Sequence, residues 1–299
     1  RYLGNLTGSE TFLAHEFQHL INFFQRYKLK GITEDVWLNE ALSEYASTII
    51  IPDDKFEGSI LEKRVKSFLR DPSNSLTKWS NDIYDYGVAS MFIHYLVSQY
   101  GEEGINTVIK SDTTRISAVP EFKNLFINWS IANYINDCDF GSMYCYKQKD
   151  LNFKIDPTAT YSLFPVSSLS VGAVTEEWSP HWYKITGLDN KGKILRIDFT
   201  GNNNAEFSVA MVILDNTGKY HVRFLEKEVF IENFGNAINS VTIIPISNKS
   251  ADFSFLASLT DTLPQGKTVL SLDEKEIASN GSEEAYIVAL KAQIEALQI

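Results

Sequence analysis

Near residue 150 the apolar residues of this chain change their period. Upstream they recur at three and four, the spacing of one helix face. Downstream they alternate, the spacing of a strand with one side covered. A chain patterned this way is neither an all-helical bundle nor an alternating α/β sheet, and an α+β, multidomain architecture is expected. Helices are predicted from the capping-box pattern Thr7-Gly8-Ser9-Glu10 through Phe12, Leu13, Phe17, Leu20, Ile21 and Phe24, then over Trp37–Ile50, Gly58–Leu69, Tyr84–Tyr100, Gly104–Lys110 and Pro120–Asn136. Ile51-Pro52, Asp71-Pro72 and Gly101 supply the stops. Strands are predicted over Trp182–Thr186, Ile194–Phe199, Phe207–Leu214, His221–Phe230, Val241–Ile246 and Phe253–Leu256, parted by Asn-, Asp- and Gly-rich turns. Their spacing suggests an antiparallel β-sandwich. The expected divisions are a mainly helical domain over 1–150, a β-sandwich accessory domain over 151–272, and a linker with a C-terminal helix over 273–299. In that last helix Ile287, Leu290, Ile294 and Leu297 form a coiled-coil-like seam.

Charge narrows the partners. Across 299 residues there are 27 Lys and Arg against 38 Asp and Glu, a net charge of −11. Nucleic acid and anionic lipid select basic patches, so neither is expected as a partner. No apolar run approaches the length of a transmembrane helix. Cys138 and Cys145 lie close together with no His nearby. One local disulfide is the expected pairing, and it favours a secreted or cell-surface setting. The chain opens at Arg1 with no apolar leader, which is the start expected of a processed or partial chain.

The segment richest in chemistry is His15-Glu16-Phe17-Gln18-His19, within the first predicted helix. Spacing of i, i+4 puts both imidazoles on one face, where two nitrogens can meet one cation. Glu16 stands beside them as the candidate general base for a metal-bound water. A catalytic zinc site needs a third protein ligand. Glu40 is the candidate, 21 residues after His19 on the next predicted helix, with Gly31 in the intervening turn. Glu44 lies one turn beyond it and can accept a hydrogen bond from the far nitrogen of a ligating His. The remaining histidines are scattered: His94 reads as a packed or surface helix residue, with a place near the cleft as the alternative, and His181 and His221 read as surface residues of the β region. The Asn/Asp-rich turns could hold Ca²⁺, but no twelve-residue calcium loop is present and turn chemistry accounts for them.

The fuller wording, Ala14-His15-Glu16-Phe17-Gln18-His19-Leu20-Ile21-Asn22-Phe23 followed by Trp37-Leu38-Asn39-Glu40-Ala41-Leu42-Ser43-Glu44-Tyr45, resembles the thermolysin-like zinc peptidases, the gluzincins. It is most similar to the hyicolysin group of secreted bacterial neutral metallopeptidases. The resemblance covers about residues 10–50. It implies Zn²⁺ held by His15, His19 and Glu40, Glu16 as general base, and Glu44 as the partner of His15, with Asn39 supporting the ligands. Gluzincin aminopeptidases also carry a Tyr three residues before a Gly that opens an apolar helix. Tyr84-Asp85-Tyr86-Gly87 matches, so Tyr84 is the expected oxyanion donor, with Tyr86 in reserve. Members place a twisted β-sheet before the zinc helix. Only 14 residues precede His15, so that sheet is expected on a separate or cut-off N-terminal fragment.

The expected protein is therefore a secreted, bacterial zinc metalloendopeptidase. Water bound to zinc attacks the peptide bond with Glu16 assisting, and the substrate is a protein or peptide. Endo- versus exopeptidase action stays open in the sequence. The alternative is a cell-surface adhesion or binding protein whose metallopeptidase-like domain is structural or inactive.

Overall fold

A computed structural model describes residues 7–50, 56–167, 174–187, 192–270 and 272. The predicted C-terminal helix and its Ile287, Leu290, Ile294 and Leu297 seam lie outside the described residues. The described chain is α+β. Its helices are α1 (Thr7–Asn22), α2 (Val36–Ile49), α3 (Ile60–Arg70), α4 (Ile83–Tyr100), α5 (Glu102–Lys110) and α6 (Phe122–Ile135). A π-helical turn, Phe23–Lys28, extends α1. Local chemistry explains the starts. Ser59 caps α3 by accepting from Glu62 N. Asp82 and Asp85 form a reciprocal capping box on α4. The turn into α2 is held by Gly31 at a φ of 69° and by Arg26, a buried guanidinium. Arg26 pairs with Glu34 at 2.6 Å and donates to the carbonyls of Val108, Ser111 and Thr113. That cation ties the α1–α2 connection to the end of α5.

The strands are β1 (Ala159–Tyr161), β2 (Val166–Ser167), β3 (Val174–Thr175), β4 (Tyr183–Thr186), β5 (Lys193–Gly201), β6 (Phe207–Asp215), β7 (Tyr220–Phe224), β8 (Glu228–Phe234), β9 (Ile238–Ser247) and β10 (Ala251–Thr260). They form one ten-stranded hydrogen-bonded network ordered β1-β4-β9-β8-β5-β10-β2, with β6 on β9 and β7, and β3 on β10. Two pairings, β1 with β4 and β8 with β9, are parallel. The sheet is thus mixed and continuous, in place of the two antiparallel sheets expected of a sandwich. The reason is β9, which meets β4 and β6 along its length and touches β8 at Phe234–Ile238. A second difference is the predicted strand His221–Phe230, which breaks into β7 and β8 around Leu225–Lys227. Leu225 N donates back to Val209 O, closing β7 on β6, and the chain then crosses to β5.

Alternation along β6 and β9 shows how the two halves join. Val209, Met211 and Ile213, with Val241 and Ile243, face a core enclosed by the sheet. Ala210, Val212, Ile244 and Ile246 face the other way, into the core of the helices. Both sides of these strands are covered, which is why they read as unbroken apolar runs. Trp182 crosses the join, and its Nε1 donates to Ser130 O on α6 at 3.0 Å. Cys138 and Cys145 form the expected disulfide just past α6, with Cα atoms 5.1 Å apart.

Candidate metal centre

The site lies where α1 crosses α2. His15 faces Glu40 and Glu44, His19 faces Glu40 and Ser43, and Asn22 faces Asn39. Rising numbers on one helix meet falling numbers on the other, so the pair is antiparallel, as the 21-residue gap with its glycine turn requires. Asn22 Nδ2 donates to Asn39 Oδ1 at 2.6 Å and pins the helices together; the hydrogen bond of Asn39 goes to Asn22 and not to a ligand.

The donor atoms converge. His15 Nε2 lies 3.1 Å from His19 Nε2 and 3.3 Å from Glu40 Oε2, while His19 Nε2 lies 3.6 Å from Glu40 Oε1. Tetrahedral angles and metal–ligand bonds of about 2.0–2.1 Å would set such atoms roughly 3.3 Å apart. The rear nitrogens are engaged. His15 Nδ1 is 3.5 Å from Glu44 Oε1, and His19 Nδ1 is 3.0 Å from Ser43 Oγ. Glu44 Oε1 can accept a hydrogen bond from a proton on His15 Nδ1, the tautomer that would leave the Nε2 lone pair for a cation. Ser43 can hold His19 the same way. Two imidazole lone pairs and a carboxylate meeting at these distances form a donor set suited to a divalent cation. Glu40 Oε2 is, in addition, a buried oxygen without a hydrogen-bond partner. The residues present therefore fit a zinc ion.

Among the described residues, His15, His19 and Glu40 form the metal-capable cluster, with no fourth His, Cys, Asp or Glu within the same reach. Their side chains are 16%, 23% and 17% exposed, so the centre opens toward solvent on one side. Three ligands with an open side is the pattern of a catalytic rather than a structural site. Burial opposes charge on His15, but the Glu40 carboxylate against its Nε2 and the charges of Glu44 and Glu16 outweigh it and raise its pKa. Proton and metal compete for that nitrogen. Glu16 is exposed at the rim, close enough for its charge to act on His15.

Tyr86 packs edge-on against Trp79, and its hydroxyl donates to Asn81 Oδ1 at 3.2 Å. Burial raises its pKa, and the charges of Glu40 and Glu44 raise it further. Tyr84 lies two residues earlier on the same helix, about 200° around the axis from Tyr86. Gly87 brings this stretch close to α3, for a Cβ there would lie 2.7 Å from Phe68 N.

Arg64, which the sequence did not single out, enters from α3. It grips Glu44 with two hydrogen bonds and stacks on Tyr86. No local motif marks it; only the helix packing reveals its role. Ser43 was not singled out either; its signal would have been a hydroxyl three residues after Glu40, one helical turn on. His94 is buried between α4 and α2, away from the triad, as its reading as a packing residue anticipated.

Neither a protein-family model nor a curated protein sequence matches the chain. Among solved structures, the mitogen derived from Yersinia pseudotuberculosis matches 33% of this chain and the whole of its own, at 12% identity and a TM-score of 0.20. A likeness that slight does not bear on the α1–α2 site.

Proposed function

We propose that the protein is a secreted or cell-surface zinc metalloendopeptidase. The observation that carries this reading is the meeting of His15 Nε2, His19 Nε2 and Glu40 at near-tetrahedral spacing, with both rear nitrogens engaged from behind. The gluzincin wording of the two helices gives the reaction class. His15, His19 and Glu40 would hold the ion, which when bound supplies Lewis-acid polarisation and acidifies a coordinated water. Glu44 and Ser43 keep the imidazoles turned inward. Glu16 takes the proton from the attacking water and passes it to the leaving amine. The Tyr86 phenol, whose hydroxyl rests on Asn81 Oδ1 at 3.2 Å, would turn to donate toward the oxygen of the scissile carbonyl as charge builds there. The disulfide supports an extracytoplasmic setting.

Elemental analysis and peptide-library cleavage by wild type and Glu16→Gln test the reading together. About one zinc per chain is expected, with cleavage lowered on the order of 10²–10⁴-fold in the variant and zinc retained. A wild type that takes up no zinc, or a Glu16→Gln variant that cleaves as well as wild type, rules it out.

A further inference from the structure

We propose that Arg64 is a positioning residue of this centre, one guanidinium that holds both the carboxylate behind His15 and the ring of Tyr86. The inference rests on the zinc peptidase reading and adds to it a residue from a third helix. Arg64 Nε donates to Glu44 Oε2 at 2.5 Å, and Nη2 donates to Glu44 Oε1 at 2.8 Å. The two bonds fix the plane of the carboxylate and so decide which oxygen meets the imidazole. That oxygen is Oε1, 3.5 Å from His15 Nδ1. The same guanidinium lies over the Tyr86 ring, its Cζ 4.7 Å from the centroid. The Glu44 side chain is 2% exposed, so water cannot supply the missing restraint.

The packing places Arg64 where it can do both. Gly87 lets α4 approach the backbone of α3 at Ser67 and Phe68, one turn from Arg64. The capping box of Asp82 and Asp85 sets where α4 begins and therefore where Tyr86 points. Asp85 is further held by Asn74 Nδ2 at 2.8 Å. A lysine at position 64 would keep the charge, but its ammonium can neither grip two oxygens in one plane nor stack on a ring.

The test uses zinc affinity by competition with a chromophoric chelator, and unfolding free energy of the metal-free protein. Both are measured for wild type, Arg64→Lys, Arg64→Gln, Glu44→Gln and the double variant. Zinc affinity is expected to fall about tenfold or more in Arg64→Gln, within the range seen when such supporting partners are removed, and comparably in Arg64→Lys. The double variant is expected to bind no more weakly than the weaker single one, because Arg64 reaches the metal through Glu44. At saturating zinc, kcat should fall further in Arg64→Gln than in Glu44→Gln, with KM nearly constant, since only the former takes the guanidinium off the Tyr86 ring. Zinc affinity within about twofold of wild type in both Arg64 variants, with only stability lost, would make Arg64 a mere helix brace and overturn the proposal. Additive losses in the double variant would overturn it too. If Arg64→Gln does not fold, Arg64→Lys carries the same comparison. A wild type that holds no zinc defeats the peptidase reading itself, an outcome distinct from either.

Discussion

Helix α2 has two histidine-bearing sides, and they treat imidazole in opposite ways. Toward α1 it presents Glu40, Ser43 and Glu44 to His15 and His19. Toward α4 it presents Tyr45 and Thr48 to His94, which is 1% exposed. Burial acts against the charged form on both sides. On the α1 side three carboxylates overcome it, and the His15 pKa rises. On the α4 side none does; burial carries the His94 pKa down to about 4, with Gln148 opposing only weakly. Thr48 gives its hydroxyl proton to Tyr45 O and accepts from His94 Nε2, which fixes a neutral tautomer. Each side leaves one buried atom without a hydrogen-bond partner, Glu40 Oε2 on the first and His94 Nδ1 on the second, but only the first brings two imidazoles and a carboxylate to one point. Under the zinc reading the first arrangement serves chemistry, while the second packs a neutral imidazole into the core.

The sharpest way to break this division is to damage the α4 side. Its packing runs from Trp37 through Phe92 to Trp129, whose ring meets Phe92 edge-on at 5.6 Å. Trp129 Nε1 donates to Tyr146 OH at 2.7 Å, and that hydroxyl donates to Asn133 Oδ1 at 2.7 Å. Trp129→Ala removes a fully buried ring and leaves the Tyr146 hydroxyl short of a donor. A loss of about 3–5 kcal/mol is expected in denaturant unfolding. Zinc affinity of the molecules still folded should be unchanged. If affinity falls with stability, the two sides of α2 are one cooperative unit and the division fails.

Acid sharpens the comparison with a smaller effect. Unfolded histidine titrates near 6.5, whereas His94 in the fold titrates near 4. The unfolded chain thus binds the extra proton between those values, and stability falls as pH falls through that window. Above the unfolded value this contribution is fully present; below the folded value about 3 kcal/mol of it is gone. His181, also held near 4 by burial, adds a loss of the same sign. In metal-free protein, His94→Gln should flatten the dependence of unfolding free energy on pH between about 6.5 and 4, leaving the His181 part. An unchanged slope would show that His94 titrates freely and is not sealed.

How much of this was legible depended on how local the cause was. The helix limits were written in caps and breakers, and α2, α3 and α4 begin or end within a residue or two of expectation. The convergence of His15, His19 and Glu40 was legible because i, i+4 spacing and a glycine turn fix geometry over a short stretch. The Cys138–Cys145 bridge was legible for the same reason. Long-range causes were not. The mixed sheet follows from the three neighbours of β9, and no turn signal announces a parallel touch between Phe234 and Ile238. The Arg64 fork depends on a helix approach permitted by Gly87. Where Tyr84 and Tyr86 point depends on how α4 is rolled, and packing sets that.

The roll of α1 is the other long-range fact, and it yields the smallest predicted effect. The apolar residues that announced this helix are largely not the ones it buries. Phe12, Leu13, Phe17, Leu20 and Phe24 are exposed, while Gln18 and Asn22 are buried toward α2. Leu20, at 63% exposure, sits directly beside the ligand His19. Leu20→Gln tests the roll cleanly, since glutamine and leucine have similar helix propensities. A fully buried leucine contributes about 1.5–3 kcal/mol through its transfer from water alone. With its outer side in solvent, the substitution should shift unfolding free energy by no more than about 0.5 kcal/mol. Zinc affinity should hold as well, because the inward positions of α1 are untouched. A loss of the size expected for a buried leucine would mean that α1 turns its apolar side inward in solution. His15 and His19 would then face away from Glu40, and the contrast between the two sides of α2 would fall with them.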